Sequence, residues 1–304
     1  MIQRLAQRLR DFPGANPKVG VSLAEIEAVE AAAGLRLPDD LRSFYQTCNG
    51  VKFDDGGLEF PSLSGADQMR RTLEEMGVTR SWRYWPLTGE NDADPICSCC
   101  AGPLRGYVVQ VFHDLGPQLK WRSFEGFIEG TLDYISEDEW VLEFMEHEFA
   151  KPARSVQDVE AGRALLRSVA SRAVGDAERG DACQFASWLL GDDQWAEVSC
   201  LLETEDEYVC RDICDRLKAM RHLGAKGALR DYKGRFRAFV LRCGELLTRE
   251  GFRANVDEHS QLQVLDGPIW LNMEMLFADR SRPDLDRFLV ERTKQLVDLH
   301  HKRS

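Results

Sequence analysis

Residues 22–50 constrain the fold most, because they predict two helices joined by a short, fixed connection. Ser22 and Glu25 have the spacing of a capping box, in which the hydroxyl and the carboxylate bond free backbone N–H groups of the first turn. Gly34 can adopt the left-handed conformation that commonly ends a helix. Pro38 suits the first turn of the next helix, where its missing N–H costs nothing. The segment therefore predicts a helical hairpin.

Apolar residues recur at helical spacing in both predicted helices, so each helix should bury one face. Asn49-Gly50 is a turn signal, and we expect it to end the second helix. The apolar positions are Leu23, Ile26, Val29 and Ala33 in the first helix, and Leu41, Phe44, Tyr45 and Cys48 in the second.

The order and spacing of these signals closely resemble the signature that opens the SUKH superfamily, the Smi/Knr-like proteins. A later segment is similar to the family's closing helix, so the resemblance covers roughly residues 1–150. Val51 departs from the pattern, since many members carry a second glycine there. The matching positions are Ile26, Glu30, Gly34, Leu37, Pro38, Leu41, Phe44, Asn49 and Gly50, followed by Ser123, Phe124, Phe127 and Ile128.

A chain of 304 residues exceeds the usual size of one domain, so two domains are expected. The proline-containing segment Ala150–Ser155 lies between two predicted helices, and we place the boundary there. Residues 1–150 would then form the SUKH-like domain, and residues 151–304 a second domain of no recognised family.

Both halves are predicted to be α+β. In the first half, helices at both ends flank an antiparallel sheet. The second half is predicted to be mostly helical, with short helices over 156–222 and then a helix, three strands and a helix over 229–300. The strands expected in the small C-terminal antiparallel sheet are Phe252–Val256, Gln261–Leu265 and Ile269–Phe277.

The formal charge of −12 is unevenly distributed. Residues 1–150 hold 14 Lys and Arg against 25 Asp and Glu, whereas residues 151–304 hold 25 against 26. An acidic surface repels phosphate backbones and anionic lipids. The charge therefore disfavours direct binding of nucleic acid or membranes by the first half and favours a basic protein partner. No apolar run is long enough to span a membrane.

The nine cysteines are typical of a reduced, cytoplasmic protein in which they act as small apolar side chains. Cys97, Cys99 and Cys100 with His113 come nearest to a metal site, but the second ligand pair of a structural zinc site is missing. Buried strand cysteines are the favoured interpretation, with zinc or a reactive thiol left open. Packing is likewise favoured over a metal for Cys210 and Cys214. No cofactor is predicted.

The SUKH resemblance implies a function that the residues alone do not. Bacterial members are typically immunity proteins that bind and block toxin domains, many of them basic nucleases, and other members are scaffolds or regulators. The resemblance thus predicts a non-enzymatic protein that neutralises a cognate toxin domain, and homodimerisation is left open. We expect the acidic turns to steer the partner through Asp54, Asp55, Glu59, Glu90, Asp92 and Asp94.

The alternative hypothesis is an enzyme whose chemistry lies in residues 151–304, with the SUKH-like half as a regulatory protein-binding module. A pocket that gathers His222, Asp257, Glu258 and His259 around a bound metal or ligand would favour it. A shallow acidic face without such a pocket would favour binding.

Overall fold

The computed structural model describes residues 2–53, 59–78, 80–88, 94–112, 116–136, 154–171, 175–203 and 207–302. The chain divides into two compact units, Met1–Leu189 and Leu190–Ser304. Each unit combines helices with antiparallel strands, so the α+β prediction is confirmed.

Within its described residues, the first unit contains two antiparallel sheets, one with the strand order β1-β2-β3 and one with the order β4-β5-β6-β7. A short 3-10 turn, Gly102–Leu104, connects β5 to β6. The elements are α1 (Ile2–Asp11), β1 (Ala15–Val19), α2 (Leu23–Ala33), α3 (Asp39–Thr47), β2 (Cys48–Phe53), β3 (Glu59–Phe60), α4 (Leu63–Glu75), β4 (Tyr84–Pro86), β5 (Ile96–Cys99), β6 (Val108–Phe112), β7 (Gly116–Trp121), α5 (Phe124–Ser136), α6 (Val156–Ala170) and α7 (Asp176–Leu189).

The predicted helical hairpin is confirmed as α2 and α3. The backbone N–H of Ser22 donates to the Glu25 carboxylate at 2.8 Å, and the Glu25 N–H donates to the Ser22 hydroxyl at 3.3 Å. Gly34 ends α2 with a φ of 63°, in the left-handed region. Pro38 directly precedes the first residue of α3. The capping box and Gly34 for α2, and Pro38 for the start of α3, were therefore sufficient to predict both helices.

Asn49-Gly50 differs from its predicted role as a turn, because it lies inside strand β2. The Asn49 side-chain oxygen accepts the N–H of Leu63 at 2.8 Å and so caps α4. A Cβ on Gly50 would lie 2.7 Å from the carbonyl oxygen of Phe60, and the φ of Gly50 is 91°. The pair therefore allows the start of α4 to pack closely against β2.

The core of the first unit lies between the hairpin, α5 and one face of the β4–β7 sheet. The rings of Phe44 and Phe124 are 4.9 Å apart, and so are those of Trp121 and Phe127. The hydroxyl of Ser123 accepts the N–H of Gly126 at 3.0 Å, which fixes the start of α5. The predicted closing helix is thus present and carries a large share of the aromatic core.

The opposite face of the β4–β7 sheet is covered by α6 and α7. Helix α7 packs against β7, and the ring of Phe185 lies 5.5 Å from that of Trp82, just before β4. The Arg80 guanidinium donates to the Asp181 carboxylate at 2.6 Å. Alternate strand residues are fully buried on this face, namely Cys97, Cys99, Val109 and Leu119.

Asp158 joins α6 to the sheet through a buried ion pair. Its carboxylate accepts Arg122 Nε, the Tyr107 hydroxyl and the N–H of Ser155, each at 2.9 Å. Burial acts to raise the pKa of Asp158, and these hydrogen bonds outweigh it, so the pKa lies below the usual range. The side chain is 1% exposed.

The expected domain boundary at 150/151 lies outside the described residues. Helices α6 and α7, which follow it, belong to the first compact unit. A boundary in the segment around Pro152 stays a prediction.

The second unit holds a small antiparallel sheet with the strand order β10-β9-β8. The predicted third strand is too long, because Asn272 accepts the N–H of Met275 at 3.1 Å and begins a helix there. The elements of the second unit are α8 (Trp195–Cys200), which lies between the 3-10 turns Asp192–Gln194 and Leu201–Glu203, then α9 (Glu207–Ala219), α10 (Leu223–Arg249), β8 (Ala254–Val256), β9 (Leu262–Val264), β10 (Ile269–Leu271), α11 (Met273–Ala278) and α12 (Leu285–His301).

No helix within the described ranges is both long and apolar enough to cross a membrane.

Candidate functional site

The structure describes two of the six acidic residues predicted to steer a partner. Glu59 lies half-buried on β3, the edge strand of its sheet, opposite Lys52. Asp94 lies half-buried two residues before β5, in the other sheet. The remaining four, Asp54, Asp55, Glu90 and Asp92, lie outside the described residues. A shared steering surface for the six therefore stays a prediction.

The connection between α2 and α3 is held by a buried carboxylate of the signature. Glu30 Oε1 accepts the backbone N–H of Leu37 at 2.9 Å, and Arg42 Nε lies 3.3 Å from it. Arg42 also lies 3.4 Å from Glu27. Because Glu30 is both ion-paired and hydrogen-bonded, its burial is compensated, and the connection is fixed.

Arg105 ties this connection to the sheet. Its guanidinium donates to the carbonyl oxygens of Arg36 at 2.6 Å, Leu37 at 2.7 Å and Cys100 at 2.6 Å. Arg105 follows the 3-10 turn between β5 and β6, far from the hairpin in sequence. Sequence reasoning missed it, because no local pattern distinguishes an arginine that binds carbonyl groups of a distant segment.

Asp40 connects α3 to α5. Its carboxylate accepts the N–H of Leu41 at 2.8 Å and also bonds the backbone of Phe124. Burial raises the pKa of Asp40, and the backbone hydrogen bonds only partly offset it. Its oxygen atoms accept hydrogen bonds from backbone N–H groups at two helix starts, so the buried carboxylate has a role in the fold.

The outer surface of the hairpin is acidic. Glu25, Glu27 and Asp39 are exposed. Arg42, which faces Glu27, is largely buried, and Arg36 lies 3.6 Å from Asp39. The hairpin thus combines a fixed backbone with exposed carboxylates, which can attract and orient a basic partner.

The three strand cysteines lie on both faces of the β4–β7 sheet. Cys97 and Cys99 share the face beneath α6 and α7, and Cys100 lies in the main core. Burial raises the pKa of all three thiols, that of Cys100 to about 12. His113 lies outside the described residues, among which no group of three His, Cys, Asp or Glu could hold a metal. Protonated buried thiols are poor nucleophiles.

The four residues named for the enzyme hypothesis are not all brought together. Glu258 and His259 line a cavity of about 550 Å³ in the second unit. His222 instead stacks on Trp195, with ring centroids 5.6 Å apart, and accepts the N–H of Gly224. The backbone carbonyl of Asp257 accepts a hydrogen bond from Arg237 of α10, and its carboxylate accepts the N–H of Gln261 in its own turn.

Comparison with known protein families matches residues 20–130 to the SMI1 / KNR4 family (SUKH-1). The match covers the hairpin, both sheets from β2 to β7 and the first part of α5. No curated protein matches the chain. A SUKH domain therefore occupies this segment of the first unit, as the resemblance predicted.

Proposed function

We propose that the chain is a non-enzymatic immunity-type protein, which binds and neutralises a cognate bacterial toxin domain. The premise is that residues 20–130 form a SUKH domain. The family match is the observation that carries this proposal. The SUKH resemblance implies partner binding, and we propose that the chain acts by covering the active site of the toxin.

The charge distribution supports a basic partner such as a nuclease domain. The excess of carboxylates lies in residues 1–150, which hold 14 Lys and Arg against 25 Asp and Glu. Complementary charge speeds diffusional encounter and disfavours wrong partners. A nuclease is a fitting partner because its own surface must attract phosphate groups.

The packing of the first unit limits where such a partner can bind. Helices α6 and α7 cover one face of the β4–β7 sheet, and the hairpin with α5 covers the other. The available acidic surface therefore includes the outer side of the hairpin and edge strand β3, which in the chain follows Asp54 and Asp55 by a few residues. We propose that the toxin contacts these segments.

The rival function is an enzyme built on the second unit. The cavity lined by Glu258 and His259 is the observation that favours it. However, these side chains are 87% and 75% exposed, and His259 Nε2 lies 3.6 Å from Glu258 Oε1. Side chains this exposed do not form an enclosed site that excludes water around a substrate, so binding is the better-supported function.

The test pairs the full chain with toxin domains encoded beside its gene. Coexpression should rescue cells from one such toxin, and the purified proteins should form a tight complex. The charge-reversed triple variant Asp54→Lys, Asp55→Lys, Asp92→Lys should associate more slowly, with a flatter salt dependence and a smaller change in dissociation.

A matched variant reverses three exposed acids of the second unit, Asp231→Lys, Glu245→Lys and Glu291→Lys. It should associate at the wild-type rate. If both triple variants behave alike, the acidic turns do not steer the partner. If no neighbouring toxin is bound or neutralised, the immunity function is wrong.

A further inference from the structure

We propose that the cavity of the second unit binds a small anion with a flat apolar body, such as an aromatic sulfonate or carboxylate. Helices α9, α10 and α11 and the turn between β8 and β9 enclose it. Its volume of about 550 Å³ lies within the range of small-molecule sites. This binding activity is independent of the immunity function and lies in a different unit.

The floor of the cavity is aromatic. Phe277 from α11 is contacted edge-on by Tyr232 and Phe236 from α10, with ring centroids 5.7 Å and 5.4 Å apart. Tyr232 and Phe236 are one helical turn apart, so α10 presents both to the same side. The Arg280 guanidinium lies 4.6 Å from the centre of the Phe277 ring. A flat apolar body can stack or pack against such a floor.

One wall is polar but uncharged at neutral pH. Cys210 and Cys214 come from α9, and Tyr232 faces both thiols. Burial raises the pKa of Cys214 to about 11, and burial also raises the pKa of Tyr232 above its usual value. The charge of the cavity is therefore set by its rim.

The rim carries an excess of positive charge. Five lining residues are Lys or Arg and three are Asp or Glu, so an anion is favoured over a cation. Some of these cations are already paired: Lys218 pairs with Asp215, and Arg280 lies 2.9 Å from Glu203. Their charges are largely compensated by these partners.

Two cations on α10 keep uncompensated charge, and they provide the anion contact. Arg237 Nη1 donates to the carbonyl oxygens of Asp257 and Glu258 and to the Ser260 hydroxyl, which are neutral acceptors. Lys233 is exposed, and within the described ranges it has no ion pair or hydrogen bond. The two residues are one helical turn apart, so a single anionic group can approach both.

The experiment compares two dyes of nearly equal shape, anilinonaphthalene sulfonate and the neutral N-phenylnaphthylamine, by fluorescence titration of the full chain. The sulfonate dye should bind one site per chain, at least about tenfold tighter than the neutral dye. The variant Lys233→Glu should weaken the sulfonate dye roughly ten- to hundredfold, because it removes one charge contact and adds a repulsive one. Its affinity for the neutral dye should stay the same.

The matched control is Arg230→Glu, an exposed reversal on the same helix outside the cavity lining. It should leave both affinities unchanged. Equal affinities for the two dyes, or equal effects of the two variants, would overturn the proposal. Both positions are exposed, so both variants should fold. The circular dichroism spectrum and the melting curve of each variant check this.

Alkylation provides a second readout that needs no substitution. Saturating sulfonate dye should slow the reaction of iodoacetamide with Cys214, measured by peptide mass spectrometry, at least about fivefold. Exposed Cys200, which does not line the cavity, should react at an unchanged rate. Equal rates at Cys214 with and without dye would place the dye elsewhere and reject this site.

Discussion

Replacing Asp158 with alanine should loosen α6 and α7 from the SUKH sheet. The carboxylate is 1% exposed and accepts three hydrogen bonds, one of them from Arg122. Breaking a buried ion pair costs about 3–5 kcal/mol, since the remaining charge loses its partner. Arg122 is 29% exposed and can be partly solvated in the variant, which lowers the cost. We expect a loss of about 3 kcal/mol in the free energy of unfolding of the first unit.

The free energy of unfolding lost in Asp158→Ala should be larger at neutral pH than at acidic pH. The folded pKa of Asp158 is depressed, so its ionised form stabilises the fold above the unfolded pKa of about 4. This stabilisation is lost as the pH falls through the folded pKa. The difference between wild type and Asp158→Ala should therefore be constant from about pH 7 to pH 5 and shrink below about pH 4.

Urea unfolding measures the total cost, and hydrogen exchange of the α6 and α7 amides shows where it arises. The control is Asp133→Ala, which removes an exposed partner of Arg8 and should cost no more than about 1 kcal/mol. If Asp158→Ala and Asp133→Ala cost the same, or if the α6 amides keep their protection, the buried ion pair does not anchor these helices.

Three further predictions concern packing, the linker and metal. Gly50→Ala should lower the free energy of unfolding by more than about 2 kcal/mol, because its Cβ would meet backbone atoms. Gly106→Ala, with a similar φ of 89° but open space, should cost only about 1–2 kcal/mol by the same unfolding assay. Limited proteolysis should cut first near Pro152. The two products should co-elute in native gel filtration, because α6 and α7 of the C-terminal product pack on the β4–β7 sheet of the N-terminal product. Separate elution would contradict this. Elemental analysis should find less than one equivalent of zinc per chain, with no loss of melting temperature on adding a chelator, and a stoichiometric metal would contradict the packing interpretation of the strand cysteines.

Local signals in the sequence predicted the hairpin correctly. The Ser22 capping box and Gly34 act within one helix, so their partners are close in the chain and visible as a pattern. Asn49-Gly50 shows the limit of such signals. Asn49 and Gly50 are typical of a turn, but they lie in strand β2, where the start of α4 packs against them.

Residues whose partners are distant in the chain could not be assigned from the sequence. Arg105 binds carbonyl groups about 70 positions earlier, and Asp158 binds Tyr107 and Arg122 on the sheet. Arg105 stands in no motif, and the sequence pattern of Asp158 predicts only its capping bond with Ser155, which the structure confirms. The same residue types are usually exposed. The cavity of the second unit was missed for the same reason, since the aromatic residues of α10 and Phe277 meet only through tertiary packing.

During synthesis, the strands of the β4–β7 sheet are made before α6 and α7, the helices that cover one of its faces. The last sheet strand ends at Trp121, whereas α7 ends at Leu189, about 70 residues later. At roughly 5–20 residues per second, the ribosome needs several seconds to supply that helix. Until this interval ends, the apolar face that carries Cys97, Val109 and Leu119 lacks the complete cover of α6 and α7. A newly made SUKH segment should therefore depend on chaperones more strongly when residues 122–189 are translated more slowly.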